Sequence, residues 1–160
     1  MHGLSKSIWK SAKLDTKKHE LVLEAFSKYL RMDFQYEATG KILVITVQGN
    51  GPAFIEFDNL NSTHTLKFKP VNNKGKTFWT VTDYTTEINP GAMRSKLPNL
   101  LKGNQLASDQ LSEFLNTDWK LFWAQIKGPG EESYGQIVKS MAQRVFDQIP
   151  IADIFKNIEN

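Results

Sequence analysis

The sequence predicts an α+β fold: an antiparallel β-meander of four to five strands packed with an N-terminal helix and two to four C-terminal helices. Three observations carry this. Apolar residues recur at helical spacing between Asp15 and Met32, period-two segments with dense turn signals fill the middle, and helical spacing returns after Pro98. At 160 residues, 40% hydrophobic and 23% charged, the chain can bury one real core and reads as a single domain over 1–160.

Residues 1–14 place Leu4, Ile8 and Ala12 at i+4 with Lys6, Lys10 and Lys13 between them, a short amphipathic helix or a loose basic arm. A helix is expected from Asp15 or Thr16, either of which can cap it, to Met32, with Val22, Leu23, Phe26, Tyr29 and Leu30 as its stripe. Lys41 to Val47 is β-branched and apolar, a central strand ended by the turn signal Gly49-Asn50-Gly51-Pro52. Ala53 to Asp58 reads as a second strand, closed by a turn at Asn59-Leu60-Asn61-Ser62. Thr63 to Val71 and Thr77 to Tyr84 are the third and fourth, joined through residues 72–76, and Thr85 to Asn89 can extend the sheet. Ser108 is the expected N-cap of a helix carrying Leu111, Phe114, Leu115, Trp119, Phe122 and Ile126, with a break available at Asn116-Thr117-Asp118. Gly128-Pro129-Gly130 reads as its stop. A last long helix, Glu131 to Ile149, shows Tyr134, Ile137, Val138, Met141, Val145, Phe146 and Ile149, and Ile151 to Ile158 adds a short one after Pro150.

Composition narrows the function classes. Zero cysteines exclude disulfides, thiolate metal sites and thiol nucleophiles. No segment approaches membrane-spanning length, and the first residues lack an apolar core of secretory length, which predicts no signal peptide and a cytoplasmic location. The triplet Asn61-Ser62-Thr63 matches a glycosylation sequon, which carries no weight on that route. Net charge is +3, with fifteen Lys/Arg against nine Asp/Glu in residues 1–102 and five against eight in residues 103–160. Only Arg31, Arg94 and Arg144 are arginine, which weakens any base-specific reading.

Register logic on the hairpin puts Leu66, Phe68, Trp79 and Val81 on one face. It leaves Lys67, Lys69, Phe78, Thr80, Thr82 and Tyr84 on the other, with Lys74 and Lys76 at the tip. Lysines interleaved with aromatics suit single-stranded nucleic acid; a face covered by helices makes the same rings core. Phe114, Trp119, Phe122 and Trp123 exceed one helical stripe, so Phe114, Trp119 and Trp123 are the candidate partner-binding residues, against core packing as the other reading.

Catalytic signals are weak. His2, His19 and His64 lack metal-ligand spacing, there is no Gly-x-Ser-x-Gly elbow, and Gly49-Asn50-Gly51 begins a dinucleotide loop that Phe54 interrupts. Glu20, Glu24, Asp58 and a lysine of the third strand follow the order of a metal nuclease without its Glu-x-Lys pair, and Glu56 with Asp58 share one strand face. The sequence therefore reads first as a non-catalytic adaptor acting on a protein partner, without cofactor or metal. The alternative is a non-specific single-strand nucleic-acid binder, and the third reading is a metal-dependent nuclease.

Overall fold

In the computed structural model, which describes residues 2–155, a 3-10 turn (Leu4–Lys6) leads into four strands: β1 Ile8–Asp15, β2 Glu20–Ile42, β3 Ile45–Asn73 and β4 Lys76–Asn89. A short β5, Ala92–Lys96, precedes three helices, α1 Gln105–Thr117, α2 Trp119–Phe146 and α3 Ile151–Ile154. The sheet order is β1-β2-β3-β4, and β5 pairs antiparallel with β3 from Phe54↔Lys96 to Asp58↔Ala92. Strands adjacent in sequence are neighbours in space, as short connections require. The antiparallel sheet of four to five strands with C-terminal helices is present. The described residues divide into two units, one formed by 2–8, 26–61 and 89–128, the other by 9–25, 62–88 and 129–155.

The expected N-terminal helix is absent: the only helical geometry there is the turn Leu4–Lys6, and most of 15–32 is strand. Two features of the sequence mimicked a helix. Glu, Leu, Ala and Lys dominate the segment and favour helix locally, but pairing on both sides in the sheet overrides propensity. In addition, the buried positions run Leu21, Ala25, Ser27 and then Leu30, a one-residue offset across exposed Lys28 and Tyr29. Such an offset stretches a period of two toward helical spacing. The capping chemistry at Asp15 is real but closes a hairpin: its Oδ1 accepts from the Lys17 and Lys18 N–H groups at 3.0 and 2.9 Å.

The first expected strand, 41–47, is cut by a turn at Leu43-Val44, and β3 runs without a turn from its second half through the expected second and third strands, so no turn falls at Gly49–Pro52. Gly49 is required for close approach instead: Gln48 exchanges hydrogen bonds with the incoming chain, accepting from Lys102 N–H and donating to the Leu100 carbonyl, both at 3.0 Å. A Cβ at Gly49 would lie 2.0 Å from the Asn99 carbonyl oxygen. The expected turn at Asn59 is an offset within the strand. Buried positions are odd-numbered through Ala53, Ile55 and Phe57, then even-numbered from Leu60 through His64, Leu66 and Phe68. Asn59 takes a left-handed φ of 50°, which Asn tolerates better than most residues, and Gly91 N–H reaches the Asp58 and Asn59 carbonyls there.

Among the helices, the break before Trp119 is where the sequence placed it, but the N-cap of α1 is Asn104, whose side chain accepts from Ala107 N–H. Ser108 is fully buried, its hydroxyl 2.8 Å from the Asn104 carbonyl and 3.0 Å from Leu101 N–H. Gly128-Pro129-Gly130 does not stop the helix: α2 runs through it. Pro129 removes one intrahelical bond, and Gln125, whose carbonyl loses its partner, is exposed. Of the last expected helix, Ile151–Ile154 is formed, and 156–158 lie outside the described residues.

In the first unit, Asn116 anchors α1 to β5 like an added strand. Its amide accepts from Ser95 N–H at 2.7 Å and donates to the Ser95 carbonyl at 2.9 Å. In the second, Leu21, Leu66, Phe68, Trp79, Val81, Tyr84, Phe146 and Ile151 form one buried cluster. The face assignment of Leu66, Phe68, Trp79 and Val81 therefore holds.

Candidate ligand-binding site

One edge of that apolar cluster is polar, and the residues responsible come from three strands and a helix. Burial phase brings His64 of β3 inward beside Leu66. On β4, Thr82 and Asp83 are both exposed in succession, so the alternation slips by one and Tyr84 turns inward with Trp79 and Val81. His64 Nδ1 lies 2.6 Å from the Tyr84 hydroxyl and 3.2 Å from Thr86 Oγ1, and Nε2 lies 2.9 Å from Ser62 Oγ. Tyr134 of α2 places its ring 6.3 Å from the imidazole, and Trp9 of β1 meets it edge-on at 5.9 Å. The Trp9 side is open, since that residue is 63% exposed. The helix lies close to β4 here: a Cβ on Gly135 would sit 3.4 Å from the Tyr84 ring, in contact with it.

Every group in the cluster is uncharged near neutral pH. Burial pushes the Tyr84 phenol well above its ordinary value, with Tyr134 adding to the shift, and burial raises Tyr134 as well. Burial also holds the His64 imidazole below its ordinary 6.5. Both ring nitrogens thus have hydroxyl partners, Tyr84 and Thr86 at Nδ1 and Ser62 at Nε2, so either neutral tautomer is satisfied. A neutral polar patch at the edge of an aromatic and aliphatic cluster suits an uncharged, largely apolar molecule with one or two hydrogen-bonding atoms.

The depressed His64 value has a stability consequence. Above pH 6.5 the imidazole is neutral folded and unfolded, so its contribution is complete. As pH falls below that value the unfolded chain takes a proton that the folded chain resists, and stability is lost down through the folded pKa. Urea midpoints measured from about pH 7.5 to about pH 5 should fall, and His64→Gln should flatten the fall across that window. An unchanged slope in His64→Gln would mean other groups set the acid response.

The first unit holds a different kind of surface. Glu56 accepts from the Tyr29 hydroxyl at 2.8 Å, Arg31 at 3.1 Å and Arg94 at 3.3 Å, and Asp58 pairs with Arg94 at 3.1 Å. The Tyr29 hydrogen bond, with Arg94 and Arg31, holds the Glu56 carboxyl below the usual range. The cation met by Glu56 and Asp58 is thus guanidinium. An open cleft of about 560 Å³ beside them is lined by Arg94 and Lys96 on β5 and by Asp109, Glu113 and Asn116 on α1.

The residues singled out in the sequence fall as follows. Lys67, Lys69, Lys74 and Lys76 are exposed and Phe78 is half-buried, but Tyr84 lies in the core beside His64, so these six do not share one face. Lys67 pairs with Asp83 at 3.7 Å. Phe114 is exposed on α1; Trp119 and Trp123 are half-buried on α2, and Trp123 packs edge-on to Phe57 at 5.3 Å. Glu24 accepts from Ser11 at 2.8 Å, and among the described residues no three His, Asp or Glu side chains are grouped to hold a metal. His64, Tyr84 and Tyr134 were not recognised together. Their one signal was three aromatic or imidazole residues in segments of apolar periodicity, and only the two strand offsets show which way they turn.

Comparison with known proteins places this fold in a family. Residues 1–156 match the family model described as haemolymph juvenile hormone binding protein (JHBP), and the chain belongs to that family. It is similar to the circadian clock-controlled protein daywake of Drosophila melanogaster, and to that of Drosophila yakuba, at 22% identity over 142 residues in each case. The alignment covers 88% of this chain and 55% of each relative, so the chain spans about half the length of the curated relatives it matches. The crystal structure of Takeout 1 from Epiphyas postvittana shares the fold, with a TM-score of 0.82 and 22% identity over 94% of this chain and 70% of that one.

Family membership corrects four expectations. The protein-adaptor and nucleic-acid readings give way, because the family is one of hormone-binding proteins, and the expected protein and nucleic-acid partners go with them. The metal-nuclease reading falls for the same reason, while the expectation of a binding protein rather than an enzyme agrees with the family. A cytoplasmic location gives way as well, since haemolymph is an extracellular fluid. That location had been read from composition and from the first ten residues, neither of which records a compartment.

Proposed function

We propose that this chain binds a small, uncharged hydrophobic ligand of the juvenile-hormone type, as part of an extracellular carrier. The observation that carries the reading is the family match over residues 1–156. What supports it locally is the second unit, where an apolar cluster of Phe68, Trp79, Val81 and Phe146 ends in the uncharged set His64, Tyr84, Thr86 and Ser62. Apolar surface supplies the affinity in such a site, and one or two hydrogen bonds fix the orientation. Tyr84 is the residue expected to meet the ligand's polar atom. Its phenol stays protonated, and its donor can turn to an incoming acceptor.

The test is displacement of a fluorescent apolar probe from the purified chain by juvenile hormone. Saturable displacement is expected, and Tyr84→Phe should weaken it roughly five- to tenfold, the worth of about 1 kcal/mol for one neutral hydrogen bond. A fully hydrocarbon competitor should bind both proteins alike. Absence of saturable binding would overturn the proposed function; equal hormone affinity in Tyr84→Phe would move the polar contact elsewhere.

A further inference from the structure

The sequon set aside above regains meaning once the chain belongs to a haemolymph family. Asn61-Ser62-Thr63 is the single Asn-x-Ser/Thr triplet in the 160 residues, and its middle residue is not proline. The structure adds what the triplet alone cannot supply. Asn61 is exposed, set between buried Leu60 and the inward-facing His64, and its position follows from the strand offset at Asn59. Without that offset the odd-numbered phase of Ala53, Ile55 and Phe57 would continue, and residue 61 would point into the buried face.

We propose that Asn61 is an N-glycosylation site, a reading that rests on the extracellular location proposed above. Two conditions must hold, and each has its observation. Before folding, the transferase needs an Asn amide with a hydroxyl two residues on, which Thr63 provides. After folding, the attached sugar needs room. β3 is an interior strand between β2 and β4, so a side chain perpendicular to the sheet leaves both rows of strand pairing intact. In the transfer, Asn61 Nδ2 forms a bond to the anomeric carbon of an oligosaccharide carried on a lipid diphosphate. The bond from that carbon to the diphosphate breaks, the diphosphate leaves with the electron pair, and one amide proton is lost to the transferase's base. Nothing is oxidised or reduced.

The position also bears on the ligand site. The neighbouring Ser62 contacts His64 Nε2, whereas Asn61 itself is exposed and makes no part of that cluster. Asn61→Gln therefore removes the acceptor without touching Ser62, which makes it the cleaner variant for comparing ligand binding.

The experiment translates the chain behind a heterologous signal peptide in the presence of microsomes, scoring only protease-protected product. The expected result is a single mass increase removed by an N-glycosidase, lost in Asn61→Gln and in Thr63→Val, and retained in Thr63→Ser. Leu106→Thr completes a second triplet after Asn104-Gln105 at a residue 71% exposed, and serves as the control acceptor. If that control is modified while the unaltered chain is not, the proposal is overturned. The heterologous signal separates this from the extracellular reading, which fails instead if the native protein is not recovered from the medium of expressing insect cells.

Discussion

Gly49→Ala is expected to destabilise the protein by about 3 kcal/mol or more, the upper range for overpacking a well-packed site. The added methyl would meet Asn99 O at 2.0 Å, Asn99 C at 2.7 Å and Leu100 Cα at 2.8 Å. All three are backbone atoms, so no rotamer change relieves the clash. The 98–101 segment must instead pull away, breaking the pair of 3.0 Å hydrogen bonds that Gln48 makes with Leu100 and Lys102. Gly130→Ala is the matched control. Nothing lies within 4 Å of its added Cβ, and it sits inside α2, so it should gain roughly 0.5–1 kcal/mol. Urea unfolding of the two variants reads both signs. A loss below about 1 kcal/mol in Gly49→Ala would mean that the two segments are not held so closely.

Trp79→Ala should cost a comparable or larger amount, about 3–5 kcal/mol. Trp79 is 3% exposed, and its ring sits 5.1 Å from Phe68, 5.3 Å from His19 and 6.3 Å from Phe155. Those partners come from β3, the β1–β2 turn and the residue after α3, so collapse from one direction cannot refill the space. Trp79→Phe, which keeps a ring and loses less volume, should cost clearly less. Equal losses for the two would point to the indole N–H rather than to packing, and near-zero losses would remove Trp79 from the core.

The structure shows where residue type alone did not give a side chain's direction. Exposed lysines beside rings looked like a nucleic-acid platform because strict alternation from Trp79 puts Tyr84 on the lysine side. The paired exposure of Thr82 and Asp83 reverses that, and Tyr84 joins His64. Likewise, Phe114, Trp119 and Trp123 looked like one surplus aromatic face, but the helix break at Asp118 divides them between α1 and α2, and Trp123 is taken up by Phe57. In both cases residue type was legible and direction was not. Direction depends on a single-residue slip or a helix end, each worth less than the packing it redirects.

What the sequence by itself determined is whatever depends on local spacing. This covers strand character over most of residues 45–84, the Lys74-Gly75 turn, the break before Trp119, and the buried set Leu66, Phe68, Trp79 and Val81. The tertiary structure alone decided the rest. It made 20–42 a strand despite helix-favouring residues, because hydrogen bonds to β1 and β3 outweigh a propensity worth tenths of a kcal/mol per residue. It turned Gly49 from a bend into a point of close approach and carried α2 through Pro129. It also slipped β3 and β4 by one residue each, which brought His64 and Tyr84 together. Each of these depends on partners distant in sequence, and periodicity within a short window carries no information about them.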